Sequence, residues 1–315
     1  MGTSMNILRM STISEFISPD ALRRRNIEQF NVSQNLTCIA GVPRQGKLSA
    51  RCYVCGLVDL SFSREIEKSF INWREGLVCP ICGLNNRMRA AVHILDVYCN
   101  IDRLSPTYIT EQTTRTYTVL QSKLYPHLIG SEFLGDDIQP AAIVNGIRHE
   151  DLTRLSFPDN TLAGVLSFDV LEHIPRYRVA LCEIFRCLAP GGEFVFSAPF
   201  DARAERTLIR AEQLPDGTIH HLQPPEYHGD PVNPKMGVLC YQIFGWDLLD
   251  LLRSVGFTDV NVIDYWSMEY GHLGGCLLFV AQKPSSPIAV SATIPPITKI
   301  EITKMHDTPT ACGQL

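Results

Sequence analysis

The stretch "LAGVLSFDVLEHIPRYRVALCEIFRCLAPGGEFVFSAPF", Leu162 to Phe200, leaves the chain little choice of fold. "LAGVLSFDVL" is apolar on both faces and reads as a buried strand ending near Asp169. Ala180, Leu181, Ile184, Phe185 and Leu188 then fall at the three-and-four spacing of a helix with one apolar face. Pro190 and the two glycines after it stop that helix and turn the chain. "EFVFSAPF" is a second buried strand. Two fully buried strands joined by an amphipathic helix form a parallel unit, which needs helices on both faces of its sheet.

The alternation of strand-like and helix-like segments runs from Thr107 to Lys283. A strand ending in Asp, a "LEHI" loop, a helix and "L-x-P-G-G" before the next strand resemble the class I S-adenosylmethionine-dependent methyltransferases, of the methyltransferase type 11 kind. The resemblance implies a Rossmann-like doubly wound α/β sheet. It also sets a register. "TYITE" is the first strand, ending at Glu111. "HLIGSEFLG" is the second, with Glu132 near its end. "HEDLTRLSFPDN" matches the family's acidic loop through Asp151, with Ser156 in place of its proline. "FTDVNVIDYWS" and "GGCLLFVAQK" are the last two strands, after the helix "GWDLLDLLRSVGF".

Ligands of open α/β sheets bind beyond the carboxyl ends of the strands. The resemblance implies S-adenosylmethionine as cofactor. Glu132 would accept the ribose hydroxyls, Asp151 the adenine amino group, and the Leu152 amide would donate to a ring nitrogen. Glu111 and Asp169 end the first and fourth strands at the same edge. The family's first loop is acidic-x-Gly-x-Gly, whereas here it is "EQTTR", with Thr113 and Arg115 at the glycine positions. A branched β-carbon crowds the backbone approach that glycine permits. Thr113 and Thr114 carry hydroxyls, and Arg115 a charge, suited to the cofactor carboxylate. His173, in "LEHIP", is placed near the transferred methyl by the resemblance, and His228 lies in a long insertion of the kind that covers a substrate. Both are candidate bases. "DYWSMEYGHLGG" adds Tyr265, Trp266, Tyr270 and His272 as a second cluster. His220 and His221 read as surface loop.

Upstream, Cys52 and Cys55 form "CYVCG", and Cys79 and Cys82 form "CPICG". Two thiolates three positions apart hold one metal ion when the chain between them turns tightly, and the 23 residues between the pairs suffice for a small hairpin. Doubled at this spacing, the pattern predicts a structural zinc ribbon with a closed ligand set. Arg87 and Arg89, in the helix that follows, read as capping or ion-pairing residues. Cys182, Cys187, Cys240 and Cys276 read as small buried hydrophobes.

The expected organisation is a partly ordered lead-in over 1–46, a zinc-ribbon-like unit over 47–95, the methyltransferase-like domain over 105–283, and a disordered Pro/Ser/Thr-rich tail over 284–315. The run Arg23 to Arg25 reads as a solvated helix face. A net charge of −5 in 315 residues counts against general nucleic-acid or membrane affinity. No apolar run has the length of a membrane span, and the first residues lack a signal-peptide core, so a cytoplasmic protein is the expectation. The expected function is methyl transfer to a small polar metabolite such as a sugar. The alternatives are an RNA methyltransferase with a zinc module, or a non-catalytic binding protein that kept the fold after its glycine loop was lost.

Overall fold

The computed structural model describes residues 6–25, 45–63, 72–229 and 237–285. The expected tail from residue 286 on, and most of the second half of the lead-in, lie outside the described residues.

A seven-stranded sheet organises the chain. Its parallel half comprises β5 (Thr107–Ile109), β6 (Leu128–Gly130), β7 (Leu162–Phe168) and β8 (Leu188–Ser197). Its antiparallel half comprises β11 (Thr258–Ser267), β12 (His272–Gln282) and β1 (Asn6–Met10). The order across the sheet is β1-β11-β12-β8-β7-β5-β6, with β5, β6, β7 and β8 mutually parallel and β12 entering antiparallel to β8. A parallel sheet closed by a reversed hairpin is the methyltransferase arrangement that the sequence register implied. One addition was not foreseen: β1, within the lead-in, pairs antiparallel along β11 from Asn6 opposite Trp266 to Met10 opposite Val262, and forms the outer edge of the sheet.

Helices cover both faces, as buried parallel strands require. On one face α6 (Tyr177–Cys187) and α7 (Asp247–Val255) bury Ala180, Leu181, Ile184, Leu248 and Leu252 in one apolar core. On the other, α4 (Asn86–Val97) and α5 (Arg115–Lys123) bury Met88, Val92, Leu95 and Leu120 in a second. Cys187 and Cys240 are buried as expected, and Cys276 as well. Cys182 departs from that expectation, being half-buried and disulfide-bonded.

The cysteine pairs sit on a small antiparallel sheet of β2 (Gln45–Cys52), β3 (Gly56–Ser63) and β4 (Leu77–Val78). The short α3 (Trp73–Gly76) precedes β4, capped by Asn72, whose side-chain oxygen accepts from the Glu75 N–H at 3.3 Å. Asn85 caps α4 in the same way, accepting from the Met88 N–H at 3.0 Å. These caps fix where α3 and α4 begin and which way their first turns face.

The small sheet is docked on the large one through the turn between β11 and β12. Arg89 is fully buried and donates to the carbonyls of Tyr270, at 2.7 Å, and Gly271, at 3.2 Å. Gly271 packs against Leu60 and Ala50 of the small sheet. The Tyr265–Tyr270–His272 cluster therefore serves this junction: His93 of α4 stacks on Tyr53 and contacts Tyr265, Tyr270 and His272. Burial holds His93 down at about 4 and His272 well below the ordinary histidine value, so both are neutral packing residues.

Candidate functional site

A cavity of about 820 Å3 opens at the carboxyl ends of β5, β6, β7 and β8. Glu111, Glu132 and Asp169 line it, as do His173 and His228. Asp151 and Leu152 do not. The Asp151 carboxylate accepts from the Thr153 N–H and hydroxyl, both at 2.8 Å, and Leu152 is buried in the core. The loop that carries them closes on itself instead of facing the cavity.

The loop without glycines is built differently from the expectation. The Thr114 hydroxyl accepts from the Tyr117 N–H at 3.2 Å and caps α5. Thr113 is turned onto Glu132, whose Oε1 accepts from the Gln112 N–H at 2.8 Å, the Thr113 N–H at 2.8 Å and the Thr113 hydroxyl at 2.7 Å. Thr113 does not line the cavity, so its β-carbon does not crowd it. Arg115 also faces away, with its side chain over Gly83 of the second cysteine turn, where an added β-carbon would sit 2.9 Å from Arg115 Cδ. The close approach that the loop forgoes is made in the neighbouring strand: a β-carbon on Gly130 would lie 2.8 Å from the Glu111 carbonyl oxygen and 2.7 Å from Tyr117.

Glu111 lies at the cavity floor with its Oε1 shut off from water and without a hydrogen-bond donor. Burial pushes its carboxyl up to about 7, against the pull of Thr114 and Arg87 and helped by Glu132 and Asp169. Asp169 takes the opposite course. Its backbone is left-handed, with φ at 55°, a conformation Asp tolerates better than most side chains. The Ser197 hydroxyl donates to it at 2.8 Å. Burial would raise its carboxyl, but Arg87, 2.8 Å away, and Arg74, 3.4 Å away, outweigh burial and hold it below the ordinary value.

Arg87, which reads in the sequence as a residue that caps or pairs with carboxylates, here pairs with Asp169, and Arg74 is a functional candidate that the sequence did not point to. Arg74 comes from α3 and Arg87 from the first turn of α4, and Glu75 bridges them, 2.8 Å from Arg87 Nε and also paired with Arg74. The cysteine-bearing unit thus supplies one wall of the cavity. Five carboxylates (Glu75, Glu111, Glu132, Asp169, Glu172) line the space against two guanidiniums, which suits a ligand with positive charge.

The four cysteines converge as their spacing predicted. All four thiol sulfurs lie within 4.8 Å of one another, and Cys52 Sγ and Cys82 Sγ are 3.8 Å apart. Zinc–sulfur bonds of ~2.3 Å in a tetrahedron put sulfurs ~3.8 Å apart. Gly56 and Gly83 follow the pairs with φ of 87° and 72°, left-handed turns that let the chain fold back over the sulfurs. Among the described residues no helix is long and apolar enough to cross a membrane.

The chain is similar to known proteins over part of its length. Residues 119–196 match the methyltransferase domain family. The chain is 28% identical over 139 residues to a demethylmenaquinone methyltransferase of Anoxybacillus flavithermus, covering 40% of this chain and 54% of that protein. It is 42% identical over 53 residues to a probable S-adenosylmethionine-dependent methyltransferase of Mycolicibacterium smegmatis, covering 17% of this chain and 21% of that one. The chain spans about half the length of the demethylmenaquinone methyltransferases it matches. A crystal structure of an S-adenosylmethionine-dependent methyltransferase from Mesorhizobium loti aligns with 64% of this chain and 100% of its own, at 16% identity and a TM-score of 0.42.

Proposed function

We propose that this chain, which carries a methyltransferase domain of the class I type, transfers a methyl group from S-adenosylmethionine to a small polar metabolite, with a zinc ion held by Cys52, Cys55, Cys79 and Cys82. The observation that carries the reading is the cavity itself. It lies where ligands of open sheets bind, it is lined by acids at the ends of three strands, and it holds an orphaned buried carboxylate oxygen on Glu111.

That orphan fits the cofactor. A buried acceptor without a donor is costly, and the cofactor's amino-acid ammonium is a donor of the right charge. Glu132 has one oxygen committed to the Gln112–Thr113 backbone, and its second is the candidate acceptor for ribose hydroxyls. Arg74 and Arg87 are candidate partners for the cofactor carboxylate. When bound, the cofactor supplies an already activated sulfonium methyl group. The chain's own part is then alignment, exclusion of water and a proton acceptor for the substrate. His173 and His228 stand at the cavity wall for that last role.

The excess of carboxylates around the cavity favours a small acceptor over a polyanion such as RNA, whose phosphates would meet like charge. The zinc reading rests on four convergent thiols that leave no open position, so the ion would hold the small sheet and do no chemistry. Label transfer from methyl-tritiated cofactor tests the proposal. The expectation is counts in a small-molecule fraction of a cell extract and none in purified RNA. Counts confined to RNA would overturn the acceptor class. Absence of transfer by protein that binds the cofactor would overturn the enzyme reading.

A further inference from the structure

We propose that Glu172, His173 and His228 form a second metal site, distinct from the four cysteines, for a first-row transition divalent cation whose open positions face the cavity. The inference starts from Glu172. Its side chain is fully buried, and among the described residues neither carboxylate oxygen has a hydrogen-bond donor. Its nearest polar neighbours are His173 Nε2 and His228 Nδ1, both 3.6 Å from the same oxygen, Oε1. One ligand atom from each of the three residues fits within a 4.8 Å circle.

The far side of each imidazole decides what its near side offers. His173 Nδ1 lies 2.8 Å from the Leu239 carbonyl oxygen, which only accepts, so Nδ1 carries the proton and Nε2 the lone pair. His228 Nε2 lies 3.3 Å from the Glu226 carboxylate and Nδ1 3.6 Å from Glu172, so this imidazole stands between two acids, and an ion bound at Nδ1 would take the place of a proton there. One imidazole lone pair, on His173, and a second nitrogen, on His228, therefore face a buried carboxylate. A proton on one imidazole would satisfy one nitrogen and one oxygen, and 3.6 Å is too long for a good hydrogen bond. A metal ion satisfies all three at once. Ligands at ~2.0–2.2 Å from one ion sit ~3.0–3.5 Å apart, close to the 3.6 Å of each imidazole nitrogen from Oε1, and the three ligand atoms already lie within 4.8 Å of one another.

The surroundings are those of a supported site. Gln242 Nε2 donates to the carbonyls of Leu171, at 2.7 Å, and Ile174, at 3.1 Å, and the Tyr241 N–H donates to the Glu172 carbonyl at 2.8 Å. These bonds pin the Leu171–His173 turn against the chain that follows His228. Ligating histidines with the second nitrogen tied to a carbonyl or carboxylate are the rule in metal sites. Two imidazoles and one carboxylate suit manganese, iron, cobalt or zinc better than magnesium or calcium.

Resting on the methyltransferase reading, the site narrows the acceptor to a molecule that presents oxygens to the cation, such as a vicinal diol. With the ion bound, the ring nitrogens of His173 and His228 are taken up as ligands, so neither histidine acts as the base and one such hydroxyl loses its proton to water. Its oxygen then forms the bond to the methyl carbon, and the carbon–sulfur electrons stay on sulfur as the sulfonium becomes a thioether.

Manganese(II) is the probe, because it leaves thiolate sites to zinc. The full chain is dialysed against chelator, titrated with manganese and followed by electron paramagnetic resonance, with S-adenosylhomocysteine binding measured on the same sample. One manganese per chain is expected. His228→Gln, on a half-buried side chain, should weaken it at least ~10-fold, and Glu172→Gln ~100-fold, the scale at which even outer-shell losses are felt. No binding by folded wild type, or equal binding by wild type and His228→Gln, overturns the site. Manganese binding without S-adenosylhomocysteine binding supports the site and overturns the methyltransferase reading. The reverse result overturns the site alone.

Discussion

Replacing Glu111 by Gln should stabilise the protein in mild base and leave it unchanged in mild acid. Burial is the main cause of the raised Glu111 carboxyl, at about 7 against an ordinary 4.5. Between those two values the folded protein keeps a proton that the unfolded chain has released. Stability therefore falls as pH rises through the window from about 4.5 to 7, and stays lowered above it. A full shift of this size corresponds to ~3 kcal/mol. Because Glu111 is partly open to the cavity, ~1.5–3 kcal/mol is the working range. The amide carries no charge to desolvate, so the variant should recover most of this at pH 8 and none at pH 4. On a chain of this size that is ~2–5 °C in melting temperature. Thermal unfolding of both proteins at the two pH values is the assay. An equal shift at both pH values, or a lower melting temperature for the variant at pH 8, would refute the reasoning. The same variant should lose S-adenosylhomocysteine affinity, because the amide keeps an acceptor oxygen but not the negative charge that would pair with the cofactor ammonium. A stabilised protein that binds less is the expected trade between stability and site.

Other expected outcomes follow the same logic. Arg87→Met removes the closer of two partners from Asp169, and with it ~2 kcal/mol for a partly buried pair. Because the Asp169 carboxyl is held low, its pairing stabilises above the unfolded value and is lost as pH falls through the folded one, so wild type and variant should converge in urea titrations as acid is added. Thr113→Val deletes the hydroxyl bond to Glu132 at nearly constant volume and should cost ~1 kcal/mol, with faster amide exchange at Gln112 and Thr113. Cys79→Ser should lower the zinc content measured by elemental analysis from about one per chain, as closed thiolate sites hold their metal tightly. It should also loosen α3 and the Arg74 wall while much of the large sheet stays folded.

The parts of this molecule that sequence made legible are those carried by local pattern. The Leu162–Phe200 block announced its strand, helix and strand because burial on both faces and helical spacing are written into consecutive residues. The cysteine pairs announced their convergence because each pair is a self-contained turn. Glu111, Glu132 and Asp169 reached one cavity because strand ends share an edge. What stayed hidden depends on long-range docking. Arg74 looks like a surface charge until α3 is packed beside β12, and Arg87, read as capping or ion-pairing, shows its partner Asp169 only in the fold. Arg89 is buried only because a turn nearly two hundred residues later offers it carbonyls. Tyr265, Tyr270 and His272, an aromatic and histidine cluster in which packing is the favoured reading of His272, are claimed by the same junction. Asp151 matched a loop pattern, yet it does not line the cavity and one oxygen of its carboxylate, Oδ1, accepts from the nearby Thr153. Local hydrogen bonding of this kind has no signature distinct from that of a ligand-binding acid. The edge strand β1 has five residues and a partner far away in sequence, so neither its length nor its neighbours betrayed it.

The central claim is that the cavity at the strand ends takes the methyl-donor cofactor although its first loop lacks glycine. Calorimetric titration of the zinc-loaded full chain with S-adenosylhomocysteine tests it most directly. The account predicts one site per chain, with an affinity inside the ~1 μM to 1 mM range usual for enzymes and their substrates, lost in Glu132→Ala. Absence of heat up to ~1 mM ligand from folded, zinc-loaded protein, in several buffers of different ionisation enthalpy, would contradict it.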